Sequence, residues 1–314
     1  MGTTIASTPD AFEHPALFYA DPGEYLAATV PYVLAGLDAG EPVLVAVPRG
    51  NLDRLREALG PYARRVDLRD MTRAGRNPGR IIPTVLLAFA AAHAGRRVRI
   101  IGEPIWAGRT PEEYPACAQH EALINAAFAG RNASILCPYD VRSLDPAWID
   151  DAVRTHPELW TTSERWDSPD YPGGLAAAAT FNLPLPGAPA HAATTSVDFF
   201  NLGAVRQFVA ERGAAAGLPL ERVMDLTVAV NELASNTAEH SGTPGELAMW
   251  TEDRNVVCQV TDGGHIADPL AGRVPVPPDA PTRGRGLLLV HQLCDLVRIH
   301  TTSAGTTIRV QMAR

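Results

Sequence analysis

The sequence predicts two folded domains, an α/β domain followed by an α+β domain, from its length, its composition and the order of its hydrophobic patterns. At roughly 150 residues per domain, 314 residues correspond to about two domains. Hydrophobic residues make up 46% and charged residues 20% of the chain, as is typical of folded proteins. Short β-rich runs alternate with amphipathic stretches up to about residue 156, whereas long helical stretches dominate the start of the last portion.

The first domain, residues 1–157, is predicted to contain a mostly parallel sheet. Short runs rich in aliphatic residues are typical of buried parallel strands, and they occur at 42–47, 97–101 and 133–137. Residues 158–192 shift to Pro, Gly, Ala and Ser without a sustained period. We therefore predict a linker there.

The last domain, residues 193–314, is predicted to place helices on one side of a mostly antiparallel sheet. Helical periodicity covers 202–216 and 219–241, and a third helix is expected to begin at Gly286. The predicted strands are 196–200, 246–252, 255–262, 296–301 and 306–312. This order predicts a two-layer α+β sandwich.

Composition excludes several function classes. All 27 basic residues are Arg. A Walker A loop, a protein kinase with a strand lysine and a Schiff-base enzyme each need an amine, so these classes are excluded. The net charge of −8 disfavours nucleic acid or an anionic membrane as a direct partner.

The sequence also predicts where the protein works. Residues 1–15 lack the pattern of a secretory signal, and the most apolar stretch, 81–94, is too short to span a bilayer, so a cytoplasmic location is expected. The four cysteines show no paired spacing. We interpret them as reduced core thiols and not as a disulfide or zinc motif.

One helix face carries candidate chemistry. Within 219–241, Glu232 and Asn236 lie one turn apart, beside the apolar stripe. A carboxylate and an amide oxygen at this spacing suit a magnesium ion and a polarised hydroxyl. A solvated helix face is the alternative interpretation of the same spacing.

A possible binding turn follows the next β-run, which ends at Asp262. Gly263 and Gly264 allow a ligand to approach the backbone closely, since glycine has no side chain. The carboxylate of Asp262 can accept a hydrogen bond from an exocyclic amine. This segment therefore predicts a contact with a nitrogenous ring.

A loop of about 20 residues comes next and is a candidate lid. It contains Gly272, Pro275, Pro277, Pro278 and Pro281 and ends in Thr282-Arg-Gly-Arg-Gly286. Glycines at a helix start expose amide donors, and the arginines of this segment add positive charge. The segment predicts a phosphate cradle without lysine, with Arg283 or Arg285 as its cation.

Four segments in this order carry a family resemblance. They are 232–236 (Glu-Leu-Ala-Ser-Asn), 262–264 (Asp-Gly-Gly), 284–287 (Gly-Arg-Gly-Leu) and 305–310 (Gly-Thr-Thr-Ile-Arg-Val). Together they resemble the GHKL ATP-binding family, and within it the anti-sigma regulatory factors that act as serine/threonine kinases. The resemblance covers nearly all of residues 193–314.

The GHKL resemblance implies a histidine-kinase-like ATPase (Bergerat) fold that binds ATP with Mg²⁺. It implies that Glu232 is the catalytic general base, that Asn236 ligates magnesium and that Asp262 binds the adenine amino group. Further nucleotide contacts are implied for Gly264, Gly284, Arg285, Gly286, Thr306 and Thr307. One departure is Ile266, which stands where the family pattern Asp-x-Gly-x-Gly has its second glycine.

The first domain carries a second resemblance. Residues 12–19 (Phe-Glu-His-Pro-Ala-Leu-Phe-Tyr), 70–78 (Asp-Met-Thr-Arg-Ala-Gly-Arg-Asn-Pro) and 102–106 (Gly-Glu-Pro-Ile-Trp) resemble MEDS-type sensory domains. The resemblance implies a fold related to P-loop folds without the phosphate motif, and a small organic ligand. The candidate pocket residues are His14, Tyr19, Glu103, Trp106 and His120. The alternative interpretation, which is favoured for each of them, is a packed aromatic or a hydrogen-bonded polar residue of the core.

The favoured function is an ATP-dependent protein serine/threonine kinase whose partner is a sigma factor or an anti-sigma antagonist protein. Two alternatives stay open. A sensor histidine kinase would use His120 in 120–125, but it needs a long helical hairpin beside the ATP domain, which the sequence does not predict. A non-catalytic module would use the nucleotide only to gate partner binding. The sequence also leaves a homodimer open.

Overall fold

The computed structural model describes residues 12–276 and 284–314. The chain divides into two compact units. The first unit comprises Met1–Gly75 and Thr84–Ala179, and the second comprises Arg76–Pro83 and Thr180–Arg314. In the described ranges, every helix is too short or too polar to cross a lipid bilayer.

The first unit is built around a seven-stranded sheet. Its strands are β1 (Pro15–Tyr19), β2 (Val43–Val47), β3 (Asp67–Asp70), β4 (Val98–Gly102), β5 (Ala133–Asp140), β6 (Glu158–Trp160) and β7 (Arg165–Asp167). Its helices are α1 (Pro22–Asp38), α2 (Arg49–Leu59), α3 (Met71–Ala74), α4 (Leu87–Ala92), α5 (Tyr114–Ala127), α6 (Pro146–Thr155) and α7 (Gly174–Thr180).

The strand order is β3-β2-β4-β5-β1-β6-β7. Every neighbouring pair is parallel except β6 and β7, which are antiparallel. All five residues of β2, Val-Leu-Val-Ala-Val, are buried, because helices cover both faces of such a sheet. The predicted α/β class with a mostly parallel sheet is confirmed.

Residues 158–192, where the sequence predicts a linker, contain β6, β7 and α7. β6 pairs in parallel with β1 and so extends the sheet of the first unit. Strands of three residues are too short to show a hydrophobic period, and for that reason the sequence did not predict them. The domain boundaries 1–157, 158–192 and 193–314 stay a prediction.

The second unit is a five-stranded antiparallel sheet in the order β11-β12-β10-β9-β8, with helices packed on one face. Its strands are β8 (Ala193–Val197), β9 (Gly245–Glu252), β10 (Asn255–Asp262), β11 (Leu296–Thr302) and β12 (Gly305–Ala313). Its helices are α8 (Leu202–Ala215), α9 (Leu220–His240) and α10 (Gly286–Leu293). The predicted two-layer α+β sandwich is confirmed.

The core of the second unit lies between its helices and its sheet. Leu226, Val230 and Leu233 of α9 are at most 1% exposed, and they pack with alternate residues of β10 such as Val256 and Cys258. The apolar residues of α9, which recur with the helical period, and alternate residues of β10 therefore face the same core layer. Because α9 packs in this way, the polar residues beside its apolar stripe lie above the end of β10.

The strand predicted over 196–200 is wrong by three residues, since β8 ends at Val197. The carboxylate of Asp198 accepts hydrogen bonds from the backbone N–H groups of Phe200 and Asn201, which turns the chain into α8. Phe199 and Phe200 are therefore 70% and 96% exposed. A local aspartate turn overrides the β propensity of these aromatic residues.

Arg76–Pro83 belongs to the second unit although it lies early in the chain. The buried side chain of Asn77 donates hydrogen bonds to the carbonyl oxygens of His291 at 2.8 Å and Cys294 at 3.2 Å. These carbonyls lie at the end of α10, where intrahelical donors are missing. A Cβ at Gly79 would lie 1.9 Å from the His291 ring, so only glycine fits there.

Candidate functional site

A cavity of about 230 Å³ lies in the second unit between α9, the end of β10 and the start of α10. Its apolar lining includes Leu233, Val260 and Ile308. Of the residues that the sequence predicts for the site, those that line the cavity are Asn236, Asp262, Gly264, Gly284, Gly286 and Thr306. Residues from four separate segments of the sequence therefore converge on one space.

Asp262 is oriented by two donors. The Thr237 hydroxyl donates to Oδ2 at 2.6 Å, and the Gly264 N–H donates to Oδ1 at 2.8 Å. Each carboxylate oxygen keeps a second lone pair, so the side chain can still accept a hydrogen bond from a ligand in the cavity. The sequence analysis did not single out Thr237. The signal that could have found it is a hydroxyl one helical turn after the buried Leu233, on the apolar face of α9.

Thr306 and Thr307 lie on opposite faces of β12. The Thr306 hydroxyl, 5% exposed, donates to the carbonyl oxygen of Gly264 at 2.8 Å and lies 2.7 Å from the Thr301 hydroxyl. Thr307 instead pairs with the Thr261 hydroxyl at 3.4 Å and is not among the lining residues. Alternation along a strand therefore separates two residues that the sequence treated together.

Gly286, the first residue of α10, lies close to the polar face of α9. A Cβ at this position would lie 2.8 Å from Glu232 Oε2 and 3.6 Å from Asn236 Nδ2. The amide groups of a first helical turn have no intrahelical acceptor and carry partial positive charge. Glu232 therefore faces the start of α10, although it is not among the lining residues.

The two described ends of the predicted lid depend on glycine. Gly272 has φ of 72°, and a Cβ there would lie 2.4 Å from Leu287 Cβ. Gly284 has φ of 94°, and the atom nearest to a Cβ at this position would be Val276 Cγ2, at 3.9 Å. Arg285 is exposed and immediately precedes α10. Pro277, Pro278, Pro281, Thr282 and Arg283 lie outside the described residues.

Ile266, the departure from the family pattern, contributes apolar surface to the cavity. Its side chain packs against the core of the second unit, and its N–H donates to the Thr301 hydroxyl at 2.9 Å. Thr301 also contacts Thr306, so Ile266 belongs to the same hydrogen-bonded turn as the cavity wall. The substitution of isoleucine for glycine is thus accommodated by packing.

In the first unit, Tyr19 and Glu103 meet at the carboxyl ends of β1 and β4. The Tyr19 hydroxyl donates to Glu103 at 3.5 Å, and the Asn51 amide donates to the two Glu103 oxygens at 3.0 and 2.9 Å. Burial raises the pKa of Glu103 to about 8. A protonated carboxyl group at this edge of a parallel sheet suits a small polar ligand. The sequence did not single out Asn51.

The other candidate pocket residues of the first unit lie elsewhere. The Trp106 ring lies under the Arg109 guanidinium, 3.9 Å from its carbon. His120 is 1% exposed on α5. His14 joins a separate buried cluster. The structure therefore brings together only Tyr19 and Glu103 of the five candidates.

The second unit has the α+β sandwich expected of a histidine kinase-like ATPase domain, and residues 196–312 match the family model "Histidine kinase-like ATPase domain". Residues 13–157 match the family model "MEDS: MEthanogen/methylotroph, DcmR Sensory domain". The chain is therefore a MEDS sensory domain followed by a histidine kinase-like ATPase domain. Both resemblances inferred from sequence motifs are confirmed at this level.

Similar solved structures include the RsbU and RsbW domains of Rv1364c from Mycobacterium tuberculosis, which are 22% identical with a TM-score of 0.31. That match covers 40% of this chain and 33% of the other, so it spans about a third of that protein's length. The Acinetobacter baumannii histidine kinase AdeS is 13% identical with a TM-score of 0.24, covering 44% of this chain and 73% of the other. No curated protein matches the chain.

Proposed function

We propose that the second unit binds ATP with Mg²⁺ and transfers phosphate to serine or threonine of a partner protein, as anti-sigma regulatory kinases do. One observation carries this proposal. Asp262 and Gly286 line the same cavity of a histidine kinase-like ATPase domain. The Asp262 carboxylate is held in a fixed orientation, and Gly286 lies close to α9. The partner proposed from the sequence resemblance is a sigma factor or an anti-sigma antagonist protein.

The cavity fits the chemistry of this nucleotide. Asp262 would accept a hydrogen bond from the adenine amino group, beside Thr306, because two donors already fix its orientation. Gly284, Arg285 and Gly286 would hold the phosphates at the start of α10. Asn236 would ligate Mg²⁺, which supplies charge neutralisation on the phosphates.

Glu232 is the proposed general base. Its carboxylate lies next to Gly286, and therefore next to the proposed phosphate-binding turn. In that position it would orient the hydroxyl group of the partner's serine or threonine and accept its proton. Positioning of the two reactants supplies much of the rate enhancement in such reactions.

The histidine kinase alternative gains no support. His120 is 1% exposed within the first unit, whereas a phosphoaccepting histidine must reach the nucleotide of an ATPase domain. The helix α7, which lies within residues 158–192, contains only seven residues, far fewer than a dimerising helical hairpin needs. The second alternative is a non-catalytic module in which the nucleotide gates binding of a partner. Measuring phosphate transfer from radiolabelled ATP distinguishes this module from a kinase.

Nucleotide binding is tested by calorimetric titration of Mg-ATP into the full chain. Asp262→Ala should weaken binding by roughly 10- to 100-fold, because it removes a hydrogen bond to a charged group. Glu246→Ala removes an exposed carboxylate from the neighbouring strand β9 and is the matched control, expected to bind as wild type does. Absence of binding to the wild-type chain would refute the proposal.

Catalysis is tested with the same preparation and radiolabelled ATP. Glu232→Gln should lower transfer to serine or threonine by about 10²- to 10⁴-fold, the usual contribution of a general base, while ATP affinity changes little. Glu239→Gln, an exposed carboxylate later on α9, should transfer normally. Acid treatment separates the products, since phosphoserine survives acid and phosphohistidine does not. Binding without any transfer would favour the gated module.

The first unit is proposed to sense a small organic ligand, as the MEDS match suggests. Tyr19, Asn51 and Glu103 form the polar group at the carboxyl ends of the strands that could contact it. Ligand binding would change ATP affinity only if the ligand distinguishes two states of the chain. Repeating the ATP titration with candidate small metabolites tests this regulation, and an unchanged affinity with a bound metabolite argues against it.

A further inference from the structure

A second polar cluster lies inside the first unit and is formed by His14, Glu121, Cys137 and His156. His14 precedes β1, Glu121 lies on α5, Cys137 lies on β5, and His156 follows α6. All four residues are at most 1% exposed. Their nitrogen, oxygen and sulfur atoms lie within 4.8 Å of one another. Nothing in the proposed kinase function uses this cluster.

Hydrogen bonds outside the cluster fix both histidine rings. His14 Nδ1 contacts Asn125 Oδ1 at 3.1 Å, and the Asn125 amide nitrogen donates to the Thr155 carbonyl at 2.8 Å. His156 Nδ1 lies 2.9 Å from the Ala152 carbonyl oxygen. Because these oxygens only accept, each Nδ1 carries a proton, and Nε2 of each ring faces the cluster.

Three contacts inside the cluster have the spacing of ligand atoms around a tetrahedral ion. Glu121 Oε2 lies 3.3 Å from His14 Nε2 and 3.2 Å from His156 Nε2. Cys137 Sγ lies 3.4 Å from His14 Nε2. Zinc bonds of roughly 2.0 Å to nitrogen or oxygen and 2.3 Å to sulfur place neighbouring ligand atoms roughly 3.3–3.6 Å apart. These three contacts differ from the zinc values by about 0.2 Å or less, and every other pair of ligand atoms in the cluster lies within 4.8 Å.

The charge on Glu121 also favours a cation. Glu121 Oε2 lies near both histidines, but among the described residues neither Glu121 oxygen makes a well-aligned hydrogen bond, and neither does His156 Nε2. A buried carboxylate with poorly aligned partners is costly to desolvate. A divalent cation bound to one carboxylate, one thiolate and two neutral imidazoles gives a site of zero net charge, which suits an interior position.

We propose that His14, Glu121, Cys137 and His156 bind one Zn²⁺ ion. Imidazole and thiolate ligands favour zinc over magnesium or calcium, which prefer oxygen. Binding forms the zinc–sulfur bond as the Cys137 thiol releases its proton to solvent. With four protein ligands and no open position, the ion would join β1, α5, β5 and the end of α6 and stabilise the MEDS domain.

The test uses the full chain, stripped with a chelator and titrated with Co²⁺ as a spectroscopic substitute for Zn²⁺. The wild-type chain should bind one Co²⁺ and show a sulfur-to-cobalt charge-transfer band, which Zn²⁺ then displaces. Cys137→Ser should lose the band and weaken Zn²⁺ binding by at least 100-fold. Cys258→Ser removes an equally buried thiol from the second unit and should leave both unchanged.

A second variant keeps all four ligands. Asn125→Ala removes the group that fixes His14, and such outer partners typically contribute 10- to 100-fold to metal affinity, so that loss is expected. The wild-type titration alone can overturn the proposal, even if Cys137→Ser does not fold. No charge-transfer band in the wild type, or a band that survives Cys137→Ser or disappears in Cys258→Ser, contradicts the site.

Discussion

Two polar sites of this chain, one in each unit, are built in opposite ways. The cavity of the ATPase domain is lined by glycines, and its acidic group Asp262 is only half-buried. The cluster around Glu121 in the MEDS domain is sealed, with its four residues at most 1% exposed. An open site leaves room for a ligand that comes and goes, whereas a sealed one holds charge only with a permanent partner.

The largest predicted effect on stability concerns Glu103, whose carboxyl group is buried in the MEDS domain. Burial raises its pKa to about 8, against roughly 4.3 in an unfolded chain. Its contribution to stability is therefore complete below about pH 4.3 and is lost as pH rises toward 8, on the order of 3 kcal/mol between pH 5 and 8. Glu103→Gln should lack this loss.

The measurement is a urea titration of the full chain at pH 5 and pH 8. Tryptophan fluorescence reports mainly on the first unit, which holds Trp106, Trp148, Trp160 and Trp166 of the five tryptophans. Asn51→Ala should steepen the loss, because the Asn51 amide favours the ionised form of Glu103. If the free energy of unfolding changes with pH by the same amount in wild type and Glu103→Gln, then burial of the Glu103 carboxylate has no cost. That result would contradict the contrast between an open and a sealed polar site.

A second effect, of comparable size, tests whether the open cavity depends on its glycines. Gly272→Ala should destabilise the second unit by roughly 2–4 kcal/mol, because φ is 72° and the Cβ would meet Leu287 at 2.4 Å. Gly284→Ala is the matched control. It shares a positive φ of 94° without a close contact and should cost only about 1–2 kcal/mol. Equal urea midpoints for the two variants would contradict the packing argument.

The smallest effect separates two neighbouring threonines of β12. Thr306→Val should weaken Mg-ATP binding about fivefold, as expected for the loss of a hydrogen bond worth about 1 kcal/mol beside the nucleotide. Thr307→Val should bind normally, because its side chain lies on the other face. Calorimetric titration measures both. The reverse order would mean that the nucleotide lies outside the cavity described here.

The ATPase fold was largely predictable because its signals are local. α9 spans Leu220–His240 against a predicted 219–241, and β10 matches the predicted 255–262, since each has a clear period. The same holds for the cavity, whose glycines and acidic residue occur in short consecutive motifs. The roles of Thr237 and Thr306 needed the structure, because a sequence does not show which hydroxyl meets which acceptor.

The cluster in the MEDS domain could not be predicted because its residues have no common spacing. Glu121 and Cys137 are 16 positions apart, and His14 and His156 come from opposite ends of the domain. The sequence assigned Cys137 to the core and His14 to a pocket. Only the parallel pairing of β1 with β5, which places Ala16 opposite Cys137, brings the first histidine to the thiol.

The position of Arg76–Pro83 in the second unit has a consequence for how such proteins can be recombined. The backbone passes between the units at Gly75–Arg76, again at Pro83–Thr84 and finally at Ala179–Thr180. A chimera joined at a single point near residue 180 would therefore leave behind Asn77, the donor to two carbonyls at the end of α10. Exchange of the ATPase domain between homologous chains must transplant this short loop with it.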